Sequence, residues 1–160
     1  MTIGLAKIVS GGQTGVDRAA LDAALAAGLD CGGWCPRGRR AEDGAIPEIY
    51  PLTETDEETY VARTRRNVED SDGTLVFAWG GAPSGGTRLT VEHARRIGRP
   101  HLVVDLHRPS LARIERWLAG RGIRVLNVAG PRESSRPGSY AAARSLMDEL
   151  VSTNGAPVTR

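Results

Sequence analysis

The sequence predicts a three-layer α/β/α domain with a mainly parallel sheet, and three observations carry that prediction. Strand-like apolar runs alternate with helical stretches along the whole chain. The connections are short, and repeated β–α alternation of this kind places parallel strands between two layers of helices. Two strands run directly into glycine-rich turns that open helices: Ser10-Gly11-Gly12-Gln13-Thr14-Gly15 after Ala6–Val9, and Gly80-Gly81-Ala82-Pro83-Ser84-Gly85-Gly86-Thr87 after Thr74–Trp79. The chain has 160 residues, 40% hydrophobic and 25% charged, enough for one domain with its own core. That domain is expected over 1–151, with a frayed tail over 152–160.

The elements follow in order. A first strand covers Ala6–Val9. A helix covers Val16–Ala27, with Val16, Ala20, Leu21, Ala24 and Leu25 at helical spacing and Gly28 placed to end it. A short strand is expected within Asp30–Cys35, and an ordered polar, basic loop over Pro36–Pro47. An extended piece, Ile49–Leu52, lies between prolines. Thr55 or Asp56 can cap a helix reaching Val68, whose Tyr60, Val61, Thr64 and Val68 share one face. Strand Thr74–Trp79, helix Thr87–Ile97, strand His101–Leu106 and helix Ser110–Ala119 follow. Strand Ile123–Val128, a loop over Ala129–Gly138 and helix Tyr140–Val151 complete the pattern.

Bulk properties exclude several classes. A formal net charge of +2 is too small for a polybasic membrane patch or a nucleic-acid-binding tail. No apolar run approaches the ~20 residues that span a bilayer, and Met1–Lys7 lacks the charged and apolar regions of a signal peptide. The cytoplasm is the expected compartment. The two cysteines, Cys31 and Cys35, have neither redox C-x-x-C spacing nor a second pair for zinc. His93, His101 and His107 show no metal spacing, so no metal site is expected.

A strand that turns through glycines into a helix leaves backbone N–H groups free to meet an anion, commonly a phosphate. Either turn could also be purely structural, since glycine is needed wherever a strand turns tightly. Two in one small domain point to a phosphorylated ligand at the carboxyl edge of the sheet. The first turn has no G-x-G-x-x-G, so a dinucleotide cofactor of the usual kind is not indicated. The second has Gly86 where a Walker A loop needs lysine, which argues against an NTPase. Ser10, Thr14, Ser84 and Thr87 add hydroxyl donors beside the loops.

The segments Ser10–Asp22, Gly33–Gly44, Tyr50–Glu54, Arg66–Val68 and Ser71–Thr74 together resemble the putative molybdenum carrier family. That family lies within the Lonely Guy/Smf (SLOG, lysine-decarboxylase-like) superfamily. The resemblance covers nearly the whole chain. It implies a Rossmann-like domain and, as ligand, a nucleotide or a phosphorylated pterin such as the molybdenum cofactor. The hydrolase branch of the superfamily carries P-G-G-x-G-T-x-x-E and an upstream arginine that serve N-glycosidic cleavage. Here Gly86-Thr87 keeps the Gly-Thr step, but Thr90 stands at the glutamate position. Glu92 lies roughly 200° further round the helix, and Arg63 sits where the hydrolases keep their arginine. Arg63 and Glu92 are therefore the catalytic candidates should hydrolysis occur.

The remaining candidates are read from residue chemistry. Asp17 either complements a helix dipole or bonds a ligand hydroxyl or loop N–H. Arg37, Arg39 and Arg40 form a solvated loop cluster or a clamp on phosphate, which arginine grips bidentately. Arg63 and Asn67 share a helix face. Trp79 and Trp34 are either core packing or stacking positions for a ring. The expected binding set is Ser10, Gly11, Gly12, Gln13, Thr14, Gly15, Asp17, Arg37, Arg39, Arg63, Asn67, Gly80, Ser84, Gly85, Gly86 and Thr87. Three functions remain open: a carrier or sensor of a small phosphorylated ligand, a nucleoside-monophosphate phosphoribohydrolase, and a single-stranded DNA-binding module. The weak net charge and the lack of a basic aromatic stripe count against the third. The resemblance favours a homo-oligomer, with a dimer as the smallest closed choice.

Overall fold

The computed structural model describes residues 1–158. Its centre is a five-stranded parallel sheet made of β1 (Lys7–Val9), β2 (Asp30–Gly32), β7 (Gly73–Ala78), β8 (His101–Asp105) and β9 (Val125–Ala129), in the order β2-β1-β9-β7-β8. Register is continuous across it: Ile8 pairs with Cys31 and Leu126, Leu75 pairs with Val128, and Val76 pairs with Val103. Five helices cover it: α1 (Val16–Ala27), α2 (Tyr60–Glu69), α3 (Gly85–Ile97), α4 (Leu111–Arg121) and α5 (Ser139–Ser152). Helices α1 and α4 both pack on α5, and α2 packs on α3. The molecule is thus a single Rossmann-like α/β domain with a mainly parallel sheet.

Small residues decide how closely the first layer packs. Ala19, Ala20, Ala23 and Ala24 of α1 are completely buried, as is Ala143 of α5. With no long side chain between them, the two helices approach each other while Leu146, Met147 and Leu150 fill the space above the sheet. Leu75, Phe77, Leu126 and Val128 supply the sheet side of the same core. All six residues of β7 are buried, which is expected of a strand covered on both faces.

Several sequence expectations are corrected. The strand expected within Asp30–Cys35 is two strands, because Gly33 has φ 126° and an added Cβ would lie 2.3 Å from Ser10 O. Its second half, β3 (Trp34–Cys35), leaves the main sheet and pairs with β6 (Thr53–Glu54). The Pro36–Pro47 loop contains a small antiparallel pair, β4 (Arg40–Ala41) with β5 (Gly44–Ala45). Helix α2 starts at Tyr60, later than a cap at Thr55 or Asp56 would give. Thr55 N–H still donates to Cys35 O, so the chain is extended there. Helix α3 starts at Gly85. The tail is docked as far as it is described. Asn154 brackets Leu5 with both ends of its amide, and Val158 N–H donates to Met1 O. Thr159 and Arg160 of the expected tail lie outside the described residues.

Candidate functional site

The three central strands β1, β9 and β7 end side by side, and each feeds a loop. Strand β1 runs into Ser10–Gly15, β7 into Gly80–Ser84 and β9 into Gly130–Gly138. Strand order reverses here, since β1 leads outward to β2 and β7 leads outward to β8, with β9 between. A crevice at the carboxyl ends of the strands is where doubly wound sheets bind ligands. A cleft of about 750 Å³ occupies that position, closed on the other side by α2 and α3. Its size suits a drug- or nucleotide-sized molecule.

The first glycine loop is built differently from the expected open amide cradle. Gly12 N–H donates to Ser10 Oγ (3.3 Å), Gln13 N–H to Asp17 Oδ2 (3.2 Å), Thr14 N–H to Gln13 Oε1 (3.1 Å) and Val16 N–H to Pro131 O (3.2 Å). The loop's own side chains and the neighbouring loop have taken the donors that glycine turns usually leave free. What the loop presents to the cleft is Gly11, the Gln13 side chain and Asp17. Ser10, Gly12, Thr14 and Gly15 shape the loop from behind.

Asp17 is nearly inaccessible and holds the floor of the cleft together. Its Oδ2 accepts both from Gln13 N–H and from Arg63 Nη1 (3.2 Å). Burial pushes its carboxyl up from the ordinary range, and Arg63 and the Gln13 N–H pull it part of the way back. Arg63 lies flat over the first loop. A Cβ on Gly11 would fall 1.4 Å from Arg63 Nη1, so only glycine admits the guanidinium there. Two buried donor atoms meet no acceptor among the described residues, Gln13 Nε2 and Arg63 Nε. Both residues line the cleft, and buried polar groups are normally paired, so each of these donors can take an acceptor there.

The second loop is open. Asp105, at the end of β8, accepts from the N–H groups of His107 and Gly80, which hold its carboxyl below the ordinary range and pin the loop's start. Beyond it Ser84, Gly85 and Gly86 are exposed, and Ser84 makes no side-chain cap. The first-turn amides of Gly86 and Thr87 meet no protein acceptor among the described residues. They line the cleft with Gly80, Ser84 and Gly85, and unpaired amides at a helix start are donors that an anion can meet. Thr90 faces the cleft and donates to Gly86 O. Glu92 is not part of the lining and pairs with Arg88 on the exposed face of α3.

Three expected residues are used elsewhere. Arg39 donates to the carbonyl oxygens of Ile46, Pro47, Tyr50 and Leu52, fixing its own loop. Arg37 reaches Glu58 on the surface. Neither lines the cleft. Asn67 touches the cleft wall, but its amide is committed to Trp34, accepting from Trp34 N–H and donating to Trp34 O. Trp34 itself lies under Arg66 and donates to Asp70, outside the cleft.

The third loop was not among the expected site residues. Gly130, Pro131, Arg132, Ser135 and Arg136 all line the cleft, and Arg136 lies over Trp79 at 5.4 Å. A glycine directly after a strand and Gly138 directly before a helix repeat the pattern of the other two loops. The eight-residue interval and its two prolines conceal that repetition in the sequence. Charged side chains lining the cleft are Asp17, Arg63, Arg132 and Arg136, and the single carboxylate is already bonded to Arg63. The site is therefore cationic. No cluster of three or more His, Cys, Asp or Glu side chains among the described residues could hold a metal ion.

The architecture defines a Rossmann-like domain with a basic cleft at its topological switch point. Comparison with known proteins places it further. The chain belongs to the circularly permuted YpsA SLOG family, whose model matches residues 8–151. It is similar to the crystal structure of a putative molybdenum carrier protein from Syntrophus aciditrophicus, with a TM-score of 0.90 and 43% identity. That match covers 94% of this chain and 97% of the other. No curated protein matches the chain.

Proposed function

We propose that the protein binds a small phosphorylated ligand in this cleft, a nucleotide or a phosphorylated pterin of the molybdenum-cofactor type, and serves as its carrier or sensor. The observation that carries the reading is the donor excess of the cleft. Among the described residues, three arginines face one committed carboxylate, two buried N–H donors lack acceptors, and the start of α3 offers open amides. Such a surface favours an anion rich in acceptor oxygens. The name borne by the Syntrophus aciditrophicus protein supports a cargo of the pterin class. Metal in that cargo would be held by the cargo's own donors, because neither a cysteine nor a histidine of the described residues lines the cleft.

The same observations favour binding over N-glycosidic cleavage. Thr90 stands at the position of the hydrolase glutamate, Glu92 points to Arg88, and Asp17 is engaged by Arg63. No helix among the described residues is long and apolar enough to cross a membrane, and the cytoplasm and a homo-oligomeric state complete the proposal. Native mass spectrometry of the purified protein, before and after gentle denaturation and with metal analysis, tests it. A co-purified nucleotide or pterin is the expected result, and molybdenum in stoichiometric amount would specify the cargo. Ribose 5-phosphate release from nucleoside monophosphates that disappears in Arg63→Ala would overturn it in favour of the hydrolase reading.

A further inference from the structure

Two arginines of the cleft, Arg63 and Arg132, converge on one ring together with Arg40 from the neighbouring loop. Tyr60, the first residue of α2, carries Arg63 at 5.2 Å, Arg40 at 5.5 Å and Arg132 at 5.5 Å from its ring centre. They come from α2, from the Pro36–Pro47 loop and from the third loop, three segments that folding alone brings together. Like charges gathered at this range repel. Asp17 answers Arg63 at 3.2 Å and Glu42 approaches Arg132 at 3.9 Å, while Arg40 has no ion pair among the described residues.

An independent observation concerns two residues that line the cleft, Gln13 and Arg63. Gln13 is 5% exposed and Arg63 is 9% exposed. Gln13 Oε1 accepts from the N–H groups of Thr14 and Glu42, which fixes the orientation of the amide and leaves Nε2 a buried donor with no partner among the described residues. Arg63 Nε is the second such donor among the described residues. Gln13 N–H and Arg63 Nη1 share the same oxygen of Asp17, so the two residues that carry these donors meet at one carboxylate. Leaving buried donors unmet is costly, and the charge above them selects an anionic acceptor.

We propose that this corner, and not the start of α3, is the subsite for the ligand's phosphate: Gln13 Nε2 and Arg63 Nε donate to its oxygens from below, and Arg40 and Arg132 close on it from the mouth. The proposal rests on the reading of the cleft as an anion site and adds where the charge is held. A phosphate with at least two ionised oxygens matches the surplus of guanidinium groups. The start of α3 is then left for the rest of the ligand.

Isothermal titration with inorganic pyrophosphate tests it, using the wild type, the double variant Arg40→Gln/Arg132→Gln and Ser84→Asp at the start of α3. Arg40 is exposed and Arg132 is partly exposed, so the double variant should keep the fold, which circular dichroism verifies. The expected result is binding that weakens about tenfold or more in the double variant and becomes less salt-sensitive. Affinity unchanged in the double variant but lost in Ser84→Asp would move the phosphate to α3, overturning the subsite and leaving the cleft reading intact. A wild type that binds no pyrophosphate would overturn the subsite as well, with the cleft reading then judged separately by its co-purified ligand.

Discussion

At the scale of single residues, the cleft depends on what Gly11 lacks. Arg63 can lie across the first loop and reach Asp17 only because no side chain rises from Gly11. Gly11→Ala should displace the guanidinium, leave Asp17 buried with a weakened partner and cost about 1–3 kcal/mol. Urea denaturation measures that loss, and an unchanged midpoint would contradict the account. The glycines of this loop were evident in the sequence, but their use was not. A glycine turn reads as an amide cradle, whereas here Ser10, Gln13 and Asp17 consume the amides and Gly11 makes room for an arginine 52 residues away. The distant partner is invisible to local spacing, as it is for Asn67, whose helical alignment with Arg63 is correct and whose amide nonetheless serves Trp34.

At the scale of elements, the Pro36–Pro47 loop acts as a strap across two of the three cleft loops. Glu42 accepts from Thr14 Oγ1, Ser134 N–H and Ser134 Oγ, and Asp43 pairs with Arg18 at 2.5 Å. Burial alone would raise the Glu42 carboxyl, but the bonds from Ser134 and Thr14, with Arg132 nearby, hold it below the ordinary range. Its bond to Arg18 does the same for Asp43. A carboxylate depressed in the folded state contributes stability above its unfolded pKa, about 4, and loses it as pH falls through the folded value. Stability should therefore decline on the acid side below about pH 4–5, and Glu42→Gln should flatten part of that decline at a cost of about 1 kcal/mol near neutrality. Chemical denaturation followed from pH 3 to 7 checks both, and identical acid limbs in the two proteins would contradict the strap. The sequence identified this segment as an ordered basic loop over the site. Which of its residues do the ordering could not be read from it, because partners such as Ser134, which donates to Glu42, lie towards the far end of the chain. The tail shows the same limit. Asn154→Ala should remove both bonds to Leu5 and cost about 1–2 kcal/mol, measurable as a lower unfolding temperature. Nothing in the composition of the tail announced that docking.

At the scale of the whole molecule, the strand–helix alternation was enough to reveal the parallel sheet, and the two glycine turns were enough to place a cleft at its carboxyl edge. The third loop escaped notice because β9 inserts between β1 and β7, a neighbour relation that chain order does not display. That insertion brings Arg132 and Arg136 over the cleft and makes the site cationic. Binding to the native state alone also stabilises it, by about 2.7 kcal/mol at a ligand concentration one hundred times Kd. Recognition of phosphate by this cleft can be measured by titrating one nucleoside with and without its 5′-phosphate into the wild type and Arg63→Ala. The wild type should bind the phosphorylated form at least about tenfold more tightly, and Arg63→Ala should erase the difference. Equal affinity for the two forms, or a preference that survives the loss of Arg63, would contradict it.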